Sequence, residues 1–173
     1  MSDEGRQPTG QNGVSPIAAS VRSQARLFGG CRVVCNPYRA VAPLAAADAA
    51  LLDVRCGATV IDVGCGSGLS FEVLQQRVGP DGTIVGIDAA PDMLDLARRL
   101  VAERGWGNVV LVEAPVEEAV IPGVADGVLF CAVHDVLQSP AALRNIFAHT
   151  RPGACIAAGG GKWRRHGPSG STP

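Results

Sequence analysis

The sequence predicts an α/β protein organised around a doubly wound, mostly parallel sheet of about five strands. Three observations carry that expectation. Short β-branched runs alternate with amphipathic stretches from Ala58 to Ala158, the pattern of strands joined by right-handed helical crossovers. The strand segments are apolar on both faces, as strands sandwiched between helical layers are. Gly64, Gly66 and Gly68 form a tight turn between the first of those strands and the helix after it. A chain of 173 residues with 47% hydrophobic content suits one core.

From Pro43 to Val54 an Ala-rich stretch sets Leu44, Ala47, Leu51 and Leu52 at helical spacing, and Gly57 ends it. Ala58 to Val63 is the first strand, and Leu69, Val73 and Leu74 carry the helix beyond the glycine turn. Gly79-Pro80-Asp81-Gly82 turns the chain into a strand from Thr83 to Ile87 that ends on Asp88. Pro91 suits the first turn of the next helix, where a missing N–H costs nothing, and Met93, Leu94, Ala97, Leu100 and Val101 supply its buried stripe. Val109 to Val112 and Gly127 to Val133 read as the third and fourth strands. Pro140 to Thr150 is a helix, and Cys155 to Ala158 a fifth strand after an Arg151-Pro152-Gly153 turn. Residues 1–15 and 162–173 are polar and aperiodic; they are expected to be disordered, leaving residues 16–161 as the domain.

Composition narrows the function. Charged residues make up 18% and the net charge is -1, so no bulk field draws the chain to a nucleic acid. Lys162 is the single lysine, and the arginines are scattered among acids. Asp48 and Asp53 interrupt the longest apolar stretch, well short of the ~20 residues of a membrane span. Cys31, Cys35, Cys56, Cys65, Cys131 and Cys155 include no Cys-x-x-Cys pair, which reads as reduced thiols and a cytoplasmic setting. Cys31 and Cys35 lack a second ligand pair at zinc-site spacing, so no metal is expected.

In an open α/β sheet the ligand lies beyond the carboxyl ends of the strands, where strand order reverses. The turn of Gly64, Gly66 and Gly68 is therefore the first candidate site. Asp88, twenty residues past Gly68, sits where a carboxylate accepts from two ribose hydroxyls. In the dinucleotide fingerprint a third glycine would fall at Leu69, and Asp62 places an acid just ahead of the turn. Pyrophosphate is repelled there, whereas an adenosyl ligand bearing an ammonium and a sulfonium is attracted, by ~1 to 3 kcal/mol per pairing.

The run Val60-Ile61-Asp62-Val63-Gly64-Cys65-Gly66-Ser67-Gly68, the segment Gly86-Ile87-Asp88-Ala89-Ala90-Pro91-Asp92-Met93-Leu94 and the closing Arg151-Pro152-Gly153 resemble the class I S-adenosylmethionine-dependent methyltransferases, which have a Rossmann-like fold. The resemblance covers roughly Tyr38 to Gly161. It implies S-adenosyl-L-methionine as cofactor, with Asp62 and the backbone of Gly64, Cys65, Gly66 and Gly68 at its methionine portion. Asp88 would hold the ribose, and Ala89 and Met93 the adenine face. Where many members carry an acid for the adenine amino group this chain has Pro115, which moves that contact to the Val116 backbone, with Glu117 or Glu118 as substitutes. The family sheet has seven strands ending in an antiparallel hairpin, and this pattern stops after five. The fifth strand is then expected to be a bare edge, open to a homodimer, in a shortened relative of a longer enzyme.

His134 and Asp135 follow the fourth strand, where the acceptor would meet the methyl group. Methyl transfer is an in-line displacement that needs a base only if the acceptor atom begins protonated, and His134 is the candidate base; the plainer reading has it capping the strand end while Asp135 starts a helix. Tyr38 is read as a lid or a core aromatic, Trp106 as packing, and His149 as a cation at a helix end. The expected activity is methyl transfer to a small-molecule or lipid-like acceptor. Its alternatives are a catalytically inactive cofactor-binding remnant or scaffold and, more weakly, an NAD-dependent oxidoreductase.

Overall fold

A computed structural model of the protein describes residues 32–35 and 44–159. The segments expected to be disordered, together with Cys31 and Tyr38, lie outside the described residues. The elements are β1 (Arg32–Cys35), α1 (Leu44–Ala50), β2 (Thr59–Val63), α2 (Phe71–Val78), β3 (Thr83–Asp88), α3 (Pro91–Arg104), β4 (Val109–Glu113), β5 (Ala125–Cys131), a single 3-10 turn at Val136–Gln138, α4 (Pro140–Ala148) and β6 (Thr150–Gly159). The strands form one sheet in the order β1-β6-β5-β2-β3-β4, and every pairing is parallel.

Alternation along the strands divides the core. Ile61, Val63, Val128, Phe130, Ile156 and Ala158 face α4 and its Leu143, Ile146 and Phe147. Val60, Leu129, Cys155 and Ala157 face the other way, toward Ala49 of α1, Phe71 and Leu74 of α2, and Leu94 and Ala97 of α3. Burial on both sides explains the near-continuous apolar strands, since each fully buried Val, Ile or Leu contributes about 1.5–3 kcal/mol. The helical stripes are narrower than the spacing predicts: Leu69 is 71% exposed and Met93 40%, because both sit at the mouth of the glycine turn and not beneath the helices.

The five predicted strands are all present, joined by a sixth that changes one expectation. The fifth predicted strand is not an edge. β1 lies along β6 with Arg32 opposite Cys155 and Cys35 opposite Ala158, so the homodimer expected through that strand loses the bare edge it was argued from. β1 escapes sequence reading because its apolar residues are only Val33, Val34 and Cys35, set in a polar, glycine-rich segment without alternation. The expected Arg151-Pro152-Gly153 turn is a bulge within β6: Ala125 pairs with Thr150 and Gly127 with Cys155, leaving Asp126 opposite four residues. Gly153 has φ +81 there, and Arg151 reaches back to Asp126 at 2.5 Å.

Among the described residues Ala132 is the one non-glycine with positive φ, at 59°. It leaves β5 with its N–H donated to the Gly159 carbonyl at 2.9 Å, so the left-handed turn is enforced by the sheet. Left-handed backbone costs an alanine roughly 1 kcal/mol. Ala132→Gly is therefore expected to raise stability by about 0.5–1 kcal/mol, read as a higher midpoint in urea unfolding with unchanged slope.

Candidate functional site

Strand order reverses between β2 and β5, so the loops leaving their carboxyl ends part and open a crevice. One wall is the turn from Gly64 to Gly68; the other is the loop from Ala132 to Asp135. Gly64, Gly66 and Gly68 have φ of +66, +54 and +83, a region side-chain-bearing residues avoid. The Cys65 N–H donates to the Ile87 carbonyl and the Gly68 N–H to the Cys65 carbonyl, each at 3.0 Å. Packing adds a second constraint. A Cβ on Gly64 would strike Val133, and one on Gly68 would lie 2.6 Å from the Phe71 ring.

Asp88 fastens this turn to the next helix. Its Oδ2 accepts from the Gly66 N–H at 2.8 Å, and its Oδ1 accepts from the Ala90 N–H at 2.9 Å, one residue before Pro91 opens α3. Each oxygen keeps a second lone pair, and the side chain is half-buried. Ala89 is exposed beside it, and Met93 reaches back until its Cε would lie 3.2 Å from a Cβ on Gly66. Asp88, Ala89, Met93 and the turn thus come together as one lip of the crevice.

Asp62, the acid just ahead of the turn, lies deep beneath it. It is 1% exposed, and its Oδ2 accepts a hydrogen bond from the Ser70 hydroxyl. Burial raises its pKa to about 7; the Ser70 hydrogen bond opposes that rise and the neighbouring Asp88 adds to it. Cys65, also buried, has its thiol pushed far up by burial and then by Asp62 and Asp88. Cys131, where β5 ends, is pushed up to about 12 by burial and by the carboxyl groups of Asp48 and Asp62. Both thiols therefore stay protonated and make poor nucleophiles. Ser70 is the residue that sequence reading missed. Its position just ahead of a helix looks like an ordinary N-cap, and only the fold brings it to Asp62.

Asn145 of α4 donates to the Val116 and Ala119 carbonyls, at 2.7 and 2.9 Å, pinning the segment after β4. Val116 packs its side chain into the core at 6% exposure, so only its backbone is available to a ligand. Glu117 and Glu118 are exposed. Glu113, which ends β4 in register with Asp88, bonds Arg98 at 2.8 Å. His134 is half-buried on the crevice wall and Asp135 exposed beside it; the His134 carbonyl accepts from the Gln138 side chain at 3.0 Å. Asp135 precedes the 3-10 turn without capping it through its side chain. His149 closes α4 with Nδ1 2.9 Å from the Asn145 carbonyl, and Trp106 packs beneath the Arg104 guanidinium.

Comparison with known proteins matches this geometry. The methyltransferase domain family aligns with residues 60–153, the span from β2 into β6. Curated relatives include a nocamycin O-methyltransferase of Saccharothrix syringae, 48% identical over 59 residues, which are 34% of this chain and 21% of that protein. An aklanonic acid methyltransferase of Streptomyces sp. (strain C5) is 40% identical over 39% of this chain and 29% of its own length. A demethylmenaquinone methyltransferase of Symbiobacterium thermophilum is 29% identical over 60% of this chain and 44% of its own. The matched part spans less than half the length of each of these relatives. A SAM dependent methyltransferase from Aquifex aeolicus shares the fold with a TM-score of 0.56 at 22% identity, over 88% of this chain and 78% of its own. The chain belongs to the methyltransferase domain family, with the Rossmann-like fold of the class I S-adenosylmethionine-dependent methyltransferases.

Proposed function

We propose that the chain binds S-adenosylmethionine in the crevice between β2 and β5 and transfers its methyl group to a small-molecule or lipid-like acceptor. The observation that carries this reading is the Asp88 clamp: one carboxylate ties the positive-φ glycine turn to the head of α3 and retains lone pairs for two ribose hydroxyls. A second acid lies beneath the same turn at Asp62, which disfavours a pyrophosphate and with it the nicotinamide dinucleotide alternative. Both acids favour a ligand whose far end is cationic.

In this reading Gly64, Cys65, Gly66 and Gly68 offer backbone to the methionine portion, Ala89 and Met93 take one face of the adenine, and the Val116 backbone meets its edge. When bound, S-adenosylmethionine supplies an activated methyl group on sulfur. His134 on the opposite wall takes the proton from an acceptor atom that begins protonated, with Asp135 beside it. The acceptors named for the relatives, nocamycin, aklanonic acid and demethylmenaquinone, support a small-molecule acceptor. No helix among the described residues is long and apolar enough to cross a membrane. Cys56, Cys65, Cys131 and Cys155 are free thiols, which supports a cytoplasmic setting.

Isothermal titration with S-adenosylmethionine, and with NAD as the competing ligand, tests the assignment. S-adenosylmethionine is expected to bind and NAD not to; the reverse would replace the reading with an oxidoreductase, and binding without turnover on candidate acceptors would favour the inactive remnant. Asp88→Ala is expected to weaken cofactor binding at least 100-fold in the same titration, because it removes both ribose acceptors and frees the turn.

Asp62 gives a stability prediction whose sign follows from its raised pKa. The folded protein keeps the Asp62 proton up to about pH 7, whereas the unfolded chain releases it near pH 3.9. Stability from this group is therefore present below about pH 4 and lost as pH rises toward 7. Asp62→Asn is expected to remove that slope, making the cofactor-free protein more stable at pH 7.5 by on the order of a few kcal/mol, with the gain shrinking toward pH 4. Urea unfolding at several pH values reads the difference.

A further inference from the structure

Ser70 stands just ahead of α2, where a serine side chain ordinarily accepts from the first free N–H groups of its own helix. Here it does not. Its φ of -82° and ψ of -21° are helical, and its side chain makes no capping bond. Its carbonyl already receives the Leu74 N–H at 3.0 Å, so the backbone is part of the helix. The hydroxyl turns instead across the base of the glycine turn to Asp62, and both side chains are shut from solvent, at 3% and 1% exposure.

That diversion has an electrostatic consequence. Burial and Asp88 on β3 both oppose the Asp62 charge, and its field in turn holds the Cys65 thiol in the turn and the Cys131 thiol on β5 in their neutral forms. Ser70 is the group acting on Asp62 that favours the anion. A buried carboxylate with no donor takes up a proton and loses its attraction for a cation.

We propose that Ser70 is a positioning residue for cofactor binding, whose hydroxyl, withheld from its own helix, orients the Asp62 carboxylate under the turn and favours the anionic form that attracts the methionine ammonium. This rests on the reading of the crevice as an S-adenosylmethionine site. It makes cofactor affinity a function of pH near neutrality, rising as Asp62 ionises, with Ser70 setting where the rise occurs.

Two measurements on the full chain test it. In the first, the Asp62 side-chain carboxyl is titrated by carbon-13 NMR without cofactor in the wild type, Ser70→Ala and Ser70→Thr. Ser70→Ala is expected to move the midpoint upward, and Ser70→Thr, which keeps the hydroxyl, to return it toward the wild type. In the second, S-adenosylmethionine affinity is measured calorimetrically from pH 5.5 to 7.5, where the ligand amine stays largely protonated. Ser70→Ala is expected to bind about tenfold more weakly at pH 7, the worth of one hydrogen bond to a charged group, and to shift the pH profile upward. A purely structural Ser70 would lower the melting temperature and leave both midpoints in place, which would overturn the proposal. If the wild type binds no S-adenosylmethionine at any pH, the cofactor reading falls; if the Asp62 midpoint stays put in Ser70→Ala, the Ser70 assignment falls, and the NMR measurement separates the two failures.

Discussion

Two carboxylates under one glycine turn, Asp62 at the end of β2 and Asp88 at the end of β3, repel each other, and the site is organised around keeping both in place. The chain handles them differently. Asp88 is half-buried and has a backbone N–H on each oxygen, so its charge is met by donors that cannot leave. Asp62 is buried and has the Ser70 hydroxyl, so its charge is poorly supported and its pKa climbs. The asymmetry divides the labour: Asp88 shapes the turn through its two backbone hydrogen bonds, and Asp62 is an acid near its midpoint whose state answers to a cation brought nearby.

The parallel sheet makes this arrangement available. Consecutive parallel strands end side by side, so Asp62 of β2 and Asp88 of β3 are near neighbours although 26 residues of chain separate them. β5 leaves from the other side of β2, which clears the space above the turn. Val133 then closes against Gly64 from the β5 side, and the strained φ of Ala132 directs that loop. Both walls therefore follow from strand order and the backbone conformations it imposes, and side-chain packing only refines them.

This division explains which features were legible in the sequence. Strands β2, β3 and β5 and the last part of β6 carry near-continuous apolar runs because burial on both faces demands them, whereas β4, read from its valines as buried on both faces, is an edge strand with Val110 41% exposed; the three glycines announce the turn because no other residue adopts their φ freely. Asp88 stands out by its distance from the turn. β1 was not legible: its neighbour β6 supplies the pairing, and four residues carry no periodicity of their own. Ser70 was not legible either, since the same residue type before a helix serves as a cap far more often than as a donor to a distant acid. The depth of Asp62 was not legible for a related reason. Its alternation places it on the face of β2 covered by α2, and the head of that helix closes over it.

Retaining an acid at position 62 is costly in the cofactor-free fold, because an asparagine would accept the same Ser70 hydroxyl without a desolvated charge. A buried group that destabilises the protein containing it is most readily understood through the ligand it faces. For a cationic ligand the cost is recovered on binding: the ammonium stabilises the carboxylate that burial had penalised, and the Asp62–Asp88 repulsion turns into a shared attraction. For an anionic ligand the same two acids act as a barrier. In the proposed site the electrostatics under the turn would thus select the sign of the cofactor before any contact with its base or sugar, and the Ser70 hydroxyl would adjust how strongly that selection operates at neutral pH.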